Sequence, residues 1–214
     1  METDRIKIRT AVMSVMAVIV LEAGGAKILN SYPDLPVLGL VMGIRLLEIA
    51  SLLLIVIRFE NGLSAVGLAG SQLPGGFIRG VRWSLVFGVV AFAGFLLFMA
   101  VGLDPFHLLH VPLPGTFGAR VLFFITGGLI GPVGEELFFR GILYGFLRQW
   151  GMLPALIITT LLFALMHPPG AFIPIPQIIG SIVFTLAYEQ KDELVAPVTI
   201  HCLGNLSLFI LSLL

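Results

Sequence analysis

The sequence predicts an all-α protein, a polytopic bundle of seven or eight transmembrane helices. Hydrophobic residues make up 58% of the chain and charged residues only 11%, against about a quarter charged in soluble domains. Mean hydropathy is +1.08. Apolar runs also recur at about the 20-residue length with which a helix crosses roughly 30 Å of hydrocarbon. The 214 residues read as a single membrane domain.

Runs fall at about 10–29, 37–57, 81–103, 119–149, 153–167, 173–190 and 194–214. The first follows METDRIKIR, which resembles the start of a signal peptide. It is long, however, contains Glu22 and Lys27, and lacks a convincing cleavage site, so it reads as a retained span. The fourth carries GGLIGPVG, where Pro132 removes an amide donor, and a kink or split is expected there. That ambiguity is why the count is seven or eight. The linkers NSYPDLP, HVPLPGTFG and HPPGAFIPIP are short and rich in Pro and Gly, as surface turns are. With the fourth run as one crossing and a cytoplasmic N-terminus, Arg5, Lys7, Arg9, Arg58, Arg79, Arg82, Arg148 and Lys191 fall in inside loops and Arg120 alone falls outside. This asymmetry supports a cytoplasmic N-terminus.

A formal net charge of zero supplies neither a basic field for nucleic acid nor an acidic tail. The lone Cys202 excludes an intramolecular disulfide framework and a cysteine-built zinc site.

Ionisable residues left in the spans need a partner or a role, because a charge at the bilayer centre costs at least about 2.5–3.5 kcal/mol. They are Glu22, Lys27, Arg45, Glu48, Glu135, Glu136, Arg140, His167 and His201, with Asn205 as the uncharged polar addition. Arg45 and Glu48 sit three apart and read as a self-neutralising pair that helps packing. Glu22 and Lys27 are five apart, a poor spacing for one face, and Lys27 can snorkel. Glu136 and Arg140 are four apart and stack on one face, while Glu135 is rotated by about 100°. One arginine neutralises one carboxylate. Glu135 is therefore surplus to a structural pair.

His167, four after Phe163, lies with Glu135 roughly 20 Å deep, and His201, four before Asn205, roughly 10–16 Å deep, so all four can share one cavity below the cytoplasmic face. A single intramembrane histidine is most simply a packing residue with a hydrogen-bond partner. Together with Glu135 and Asn205, the two supply what hydrolysis requires. A desolvated Glu acts as a base, a neutral imidazole orients water, and His with Asn donates to a developing oxyanion. Spacing alone does not say which histidine does which. The same Glu135, His167 and His201 are the donors for a divalent metal such as zinc, although no H-E-x-x-H is present and a metal is not demanded. An aspartyl mechanism is unsupported, since Asp4, Asp34, Asp104 and Asp192 fall in loops or tails. Ser181, in IIGSIVF, lacks a G-x-S-x-G context.

Three motifs then stand in order: Glu135-Glu136-x-x-x-Arg140, Phe163-x-x-x-His167 and His201-x-x-x-Asn205. In them the chain resembles the CAAX prenyl protease and bacteriocin-processing family, also called type II CAAX endopeptidases or Abi proteins. The resemblance covers about residues 119–210; residues 1–110 share only their character as membrane spans. It implies a glutamate-type intramembrane endopeptidase, often classed as a metalloprotease. Glu135 would be the base that holds water with His167, His201 and Asn205 the oxyanion site, and Glu136 with Arg140 the support. The implied partners are the lipid bilayer and a membrane-associated protein or peptide, such as a C-terminal sorting or lipidated tail. The setting would be a prokaryotic cytoplasmic membrane. A non-catalytic scaffold or immunity protein of the same family is the main alternative. A small transporter using the buried charges as a relay is weaker, because no inverted repeat is visible. Gly141 and Gly145 permit close helix contact, either within the bundle or in a dimer.

Overall fold

The structure, a computed structural model, describes residues 6–167 and 174–213, without the side chains of His107 and Leu108. Asp4, Arg5, Leu214 and residues 168–173 of the HPPGAFIPIP linker lie outside the described residues. Among the described residues, seven principal helices follow in order: α1 (Ile8–Ser31), α2 (Val37–Phe59), α3 (Leu73–Ala100), α4 (Phe117–Trp150), α5 (Met152–Met166), α6 (Ile175–Glu189) and α7 (Val195–Leu211). Among the described residues there is no strand.

Four of the seven, α1 to α4, are long and apolar enough to cross a membrane. The last three have only 15, 15 and 17 residues, or about 22–26 Å at 1.5 Å per residue. α6 and α7 are shorter than the runs expected at 173–190 and 194–214, whereas α5 matches the length of its run at 153–167. Large apolar side chains face outward along the bundle, Leu54, Val89 and Leu165 being 66%, 70% and 75% exposed, the surface a bilayer would cover.

α3 begins at Leu73, with Pro74 in its first turn, rather than near residue 81. Arg79 and Arg82 therefore stand on a helix, not in a loop. The reason is tertiary: Arg79 pairs with the buried Glu193 ahead of α7, and Trp83 Nε1 donates to Gln190 Oε1 at 3.2 Å. At Gly80, an added Cβ would lie 2.5 Å from Thr199 Cβ and 2.8 Å from the Ala196 carbonyl, so α3 and α7 approach nearly backbone to backbone.

α4 is the axis of the bundle. It continues through GGLIGPVG without splitting, as two π-helical stretches, Thr126–Ile130 and Leu137–Tyr144, flanking the α-helical turn Gly131–Glu136. All eight residues of the second stretch are buried. Six of them, Leu137, Phe138, Phe139, Ile142, Leu143 and Tyr144, form the main core with Val18 of α1, Leu52 and Val56 of α2, Phe163 of α5 and Tyr188 of α6. Gly141 and Gly145 serve this internal packing: their added Cβ atoms would meet Val66 at 3.1 Å and Ile6 at 3.0 Å.

The turn between α2 and α3 docks on the start of α7. Leu194 N donates to the Gly67 carbonyl at 2.9 Å. Gly67 has φ +78°, and a Cβ there would lie 2.7 Å from the Asp192 carbonyl, so both conformation and space require glycine.

Candidate active site

Pro132 explains how α4 meets α7. In the first π stretch Gly131 N donates to Thr126 O, one residue beyond its ordinary α-helical acceptor. The acceptor it leaves, Gly127 O, would next be served by residue 132, which is a proline without an N–H. Asn205 Nδ2 supplies the missing donor at 2.8 Å. A break in the backbone ladder thus becomes a bond between helices. Such π stretches recur at functional sites for this reason.

One turn later, the two glutamates diverge as their 100° offset predicts. Glu136 is fully buried and its Oε1 accepts from Arg140 Nη1 at 3.0 Å and from His201 Nδ1 at 2.7 Å. Glu135 faces the other way, with its side chain 24% exposed. Its Oε2 lies 3.7 Å from His167 Nε2 and 3.8 Å from His201 Nε2. It is buried and makes no hydrogen bond. Both separations are too long for a direct bond, and they leave the oxygen facing two ring nitrogens at once.

Both imidazoles are held from behind. His167 closes α5, where the final carbonyls lack helical donors, and its Nδ1 donates to Phe163 O at 2.8 Å. The F-x-x-x-H spacing is thus a one-turn cap, with the two rings 4.4 Å apart. His201 stacks on Phe184 at 4.6 Å and points Nδ1 at Glu136. Because a carbonyl and a carboxylate paired with arginine only accept, each ring carries its proton on Nδ1 and turns Nε2 toward Glu135.

The structure therefore brings Glu135, Glu136, Arg140, His167 and His201 into one connected group. Asn205 stands one turn beyond His201 on α7, with one amide proton committed to Gly127. Sequence reasoning missed the far side of Arg140. Its Nη2 donates to the Ser181 hydroxyl at 2.8 Å and the Ser181 carbonyl at 3.1 Å, and the guanidinium lies 4.8 Å from the Phe163 ring and 5.2 Å from that of Phe184. The signal was a lone serine inside an apolar run, considered only as a nucleophile. Glu22 was also underread, since Arg45 Nη1 contacts Glu22 Oε1 at 2.5 Å as well as Glu48 Oε2 at 2.6 Å.

A profile of the type II CAAX prenyl endopeptidase, Rce1-like family matches residues 117–207. Those residues, less than half of the chain, are similar to the Rce1-like family. The match runs from the start of α4 through Asn205 and includes every member of the group just described. The membrane-embedded CAAX protease MroQ of Staphylococcus aureus is 35% identical over 91 residues, 39% of this chain and 36% of that protein. Two UPF0177 proteins of Lactococcus lactis are also similar: YxdF, 30% identical over 79 residues covering 37% of this chain, and YaiH, 33% over 82 residues covering 38%. The aligned parts span 44% and 34% of those two relatives. The chain thus covers less than half the length of each curated relative. No solved structure matches the chain.

Glu135, His167 and His201 carry the donor types that a divalent ion takes. Among the described residues, however, no three His, Cys, Asp or Glu side chains converge as a metal-holding group. No step below passes through such an ion.

Proposed function

We propose that the chain is an intramembrane endopeptidase in which Glu135 activates water for attack on a peptide carbonyl. The observation that carries this reading is the buried, unbonded Oε2 of Glu135 set between two imidazole Nε2 atoms at 3.7 and 3.8 Å. A water placed there donates one proton to Glu135 and the other to His167 Nε2. Glu135 removes the first as the water oxygen bonds to the carbonyl carbon. The carbonyl π electrons move onto its oxygen. When the tetrahedral intermediate collapses, the C–N bond breaks and Glu135 returns its proton to the leaving amine.

The rings are assigned by what stands behind them. His167 is backed by a neutral carbonyl and suits the orienting role. Behind His201 lies the Glu136 carboxylate, which fixes the ring from its far side, and His201 is left to face the developing oxyanion. Asn205 has a second amide proton beyond the one given to Gly127, and it joins His201 there. These are the roles that family resemblance implies.

The proposed substrate is a membrane-associated protein or peptide, such as a sorting or lipidated tail, reached from the lipid and the cytoplasm. The name of the staphylococcal relative, a membrane-embedded CAAX protease, supports that class. The proposed setting is a prokaryotic cytoplasmic membrane with the N-terminus inside, as the basic residues near Lys7, Arg58 and Arg148 indicate. The test compares membrane-protein termini in cells carrying the intact chain or Glu135→Gln. New uncut termini in the variant are expected. Identical termini would overturn the reading in favour of a non-catalytic scaffold or immunity protein. Metal dependence has its own test, cleavage after chelation and dialysis, where full retention is expected and zinc-restored loss would contradict the metal-free scheme.

A further inference from the structure

From the far side of Arg140 we infer that Ser181 is a positioning residue, the anchor through which α6 and α5 set the direction of His201. This rests on the hydrolase reading for its catalytic consequence. Its hydroxyl is used fully: it accepts from Arg140 Nη2 at 2.8 Å and donates to Thr160 Oγ1 at 3.1 Å. Its carbonyl accepts from the same Nη2 at 3.1 Å. From there the chain runs through Arg140 Nη1 to Glu136 at 3.0 Å and through Glu136 to His201 Nδ1 at 2.7 Å. Ser181, Arg140 and Glu136 are each 0% exposed. Water therefore does not compete for these bonds, and any change in the anchor passes along the line.

Arg140 Nε has no partner, and neither does Glu136 Oε2. The guanidinium is thus held in place by its two terminal nitrogens, one on Glu136 and one on Ser181. Releasing the second lets it rotate about the first, and the carboxylate that orients His201 rotates with it. The backbone carbonyl retains one contact, so the fold survives while the aim is lost.

The test is proton NMR of the histidine-labelled protein in detergent micelles, beside turnover of the terminus that the Glu135→Gln comparison identifies. The His201 Nδ1–H, assigned by its absence in His201→Ala, is expected far downfield because it faces a carboxylate. Ser181→Ala and the volume-matched Ser181→Cys should each move that resonance and lower kcat roughly tenfold with KM unchanged, the scale of a small misplacement of a reacting group. Ser181→Thr should restore both. Thr159→Val, which removes a buried hydroxyl bonded only within α5, should change neither. An unmoved resonance in Ser181→Ala overturns the inference, and so does a moved resonance with unchanged kcat. Failure of Glu135→Gln to alter any terminus would overturn the protease reading instead, leaving the resonance to decide the geometry.

Discussion

The Glu22–Arg45–Glu48 cluster and the Glu136–Arg140 pair use the same chemical parts in the same bundle, yet they are built for different ends. Around Arg45, one guanidinium nitrogen meets two carboxylates, and the Arg45 and Glu22 side chains are 27% and 41% exposed. Every charge there is spent on another charge. Around Arg140, both partners are 0% exposed, and the carboxylate gives its second contact to His201. Under the proposed function, the difference teaches that an intramembrane ion pair is marked by what its carboxylate does beyond the arginine. Counting opposite charges four residues apart does not show it.

The largest effect should come from breaking the enclosed pair. Arg140→Met leaves Glu136 buried without a cation and should cost about 3–5 kcal/mol in thermal unfolding in micelles. The double variant Glu136→Gln/Arg140→Met should recover most of that stability and still fail to cleave. Recovered activity would mean that the pair only fills space. Next in size is the joint that ties the Arg45-bearing half to α7. Gly67→Ala forces a side chain into φ +78° against the Asp192 carbonyl, and roughly 1–3 kcal/mol is expected. A neutral result there would show that the two halves are independent.

Smallest should be the open cluster. Arg45→Met together with Glu22→Gln and Glu48→Gln removes all three charges at once. Unfolding should shift by about 1 kcal/mol or less, with cleavage within tenfold of the parent. Ile49 of α2 packs on Gly134, beside Glu135, so a modest change in rate is compatible with that arrangement. Complete loss of cleavage would erase the contrast between the clusters.

Much of this was legible in the residues. Helices follow from apolar runs because every backbone polar group in lipid must be satisfied internally. The Glu136–Arg140 stack follows from 3.6-residue periodicity, and Glu135 follows by elimination. Contacts between helices were not legible, since nothing local links Glu22 to Arg45 or Arg79 to Glu193. Pro132 announced a broken ladder but not the remedy, because Asn205 lies on another helix and the π register decides which carbonyl is orphaned. Ser181 escaped for a related reason. Its meaning depends on Arg140, 41 residues away. α5 has the length of its run, but α6 and α7 end short of theirs, because apolar character continues into turns that hydropathy does not distinguish from helix.

The central claim is that Glu135 and His167 act on one and the same water. A double-mutant cycle tests it most directly, using kcat for Glu135→Gln, His167→Ala and the pair, measured on the identified terminus in proteoliposomes. Groups that work as a unit are strongly non-additive. The account predicts that Glu135→Gln alone loses about 10²–10⁴-fold and that adding His167→Ala costs almost nothing more. Losses that multiply across the cycle, or a Glu135→Gln enzyme that still turns over at the parent rate, would contradict it.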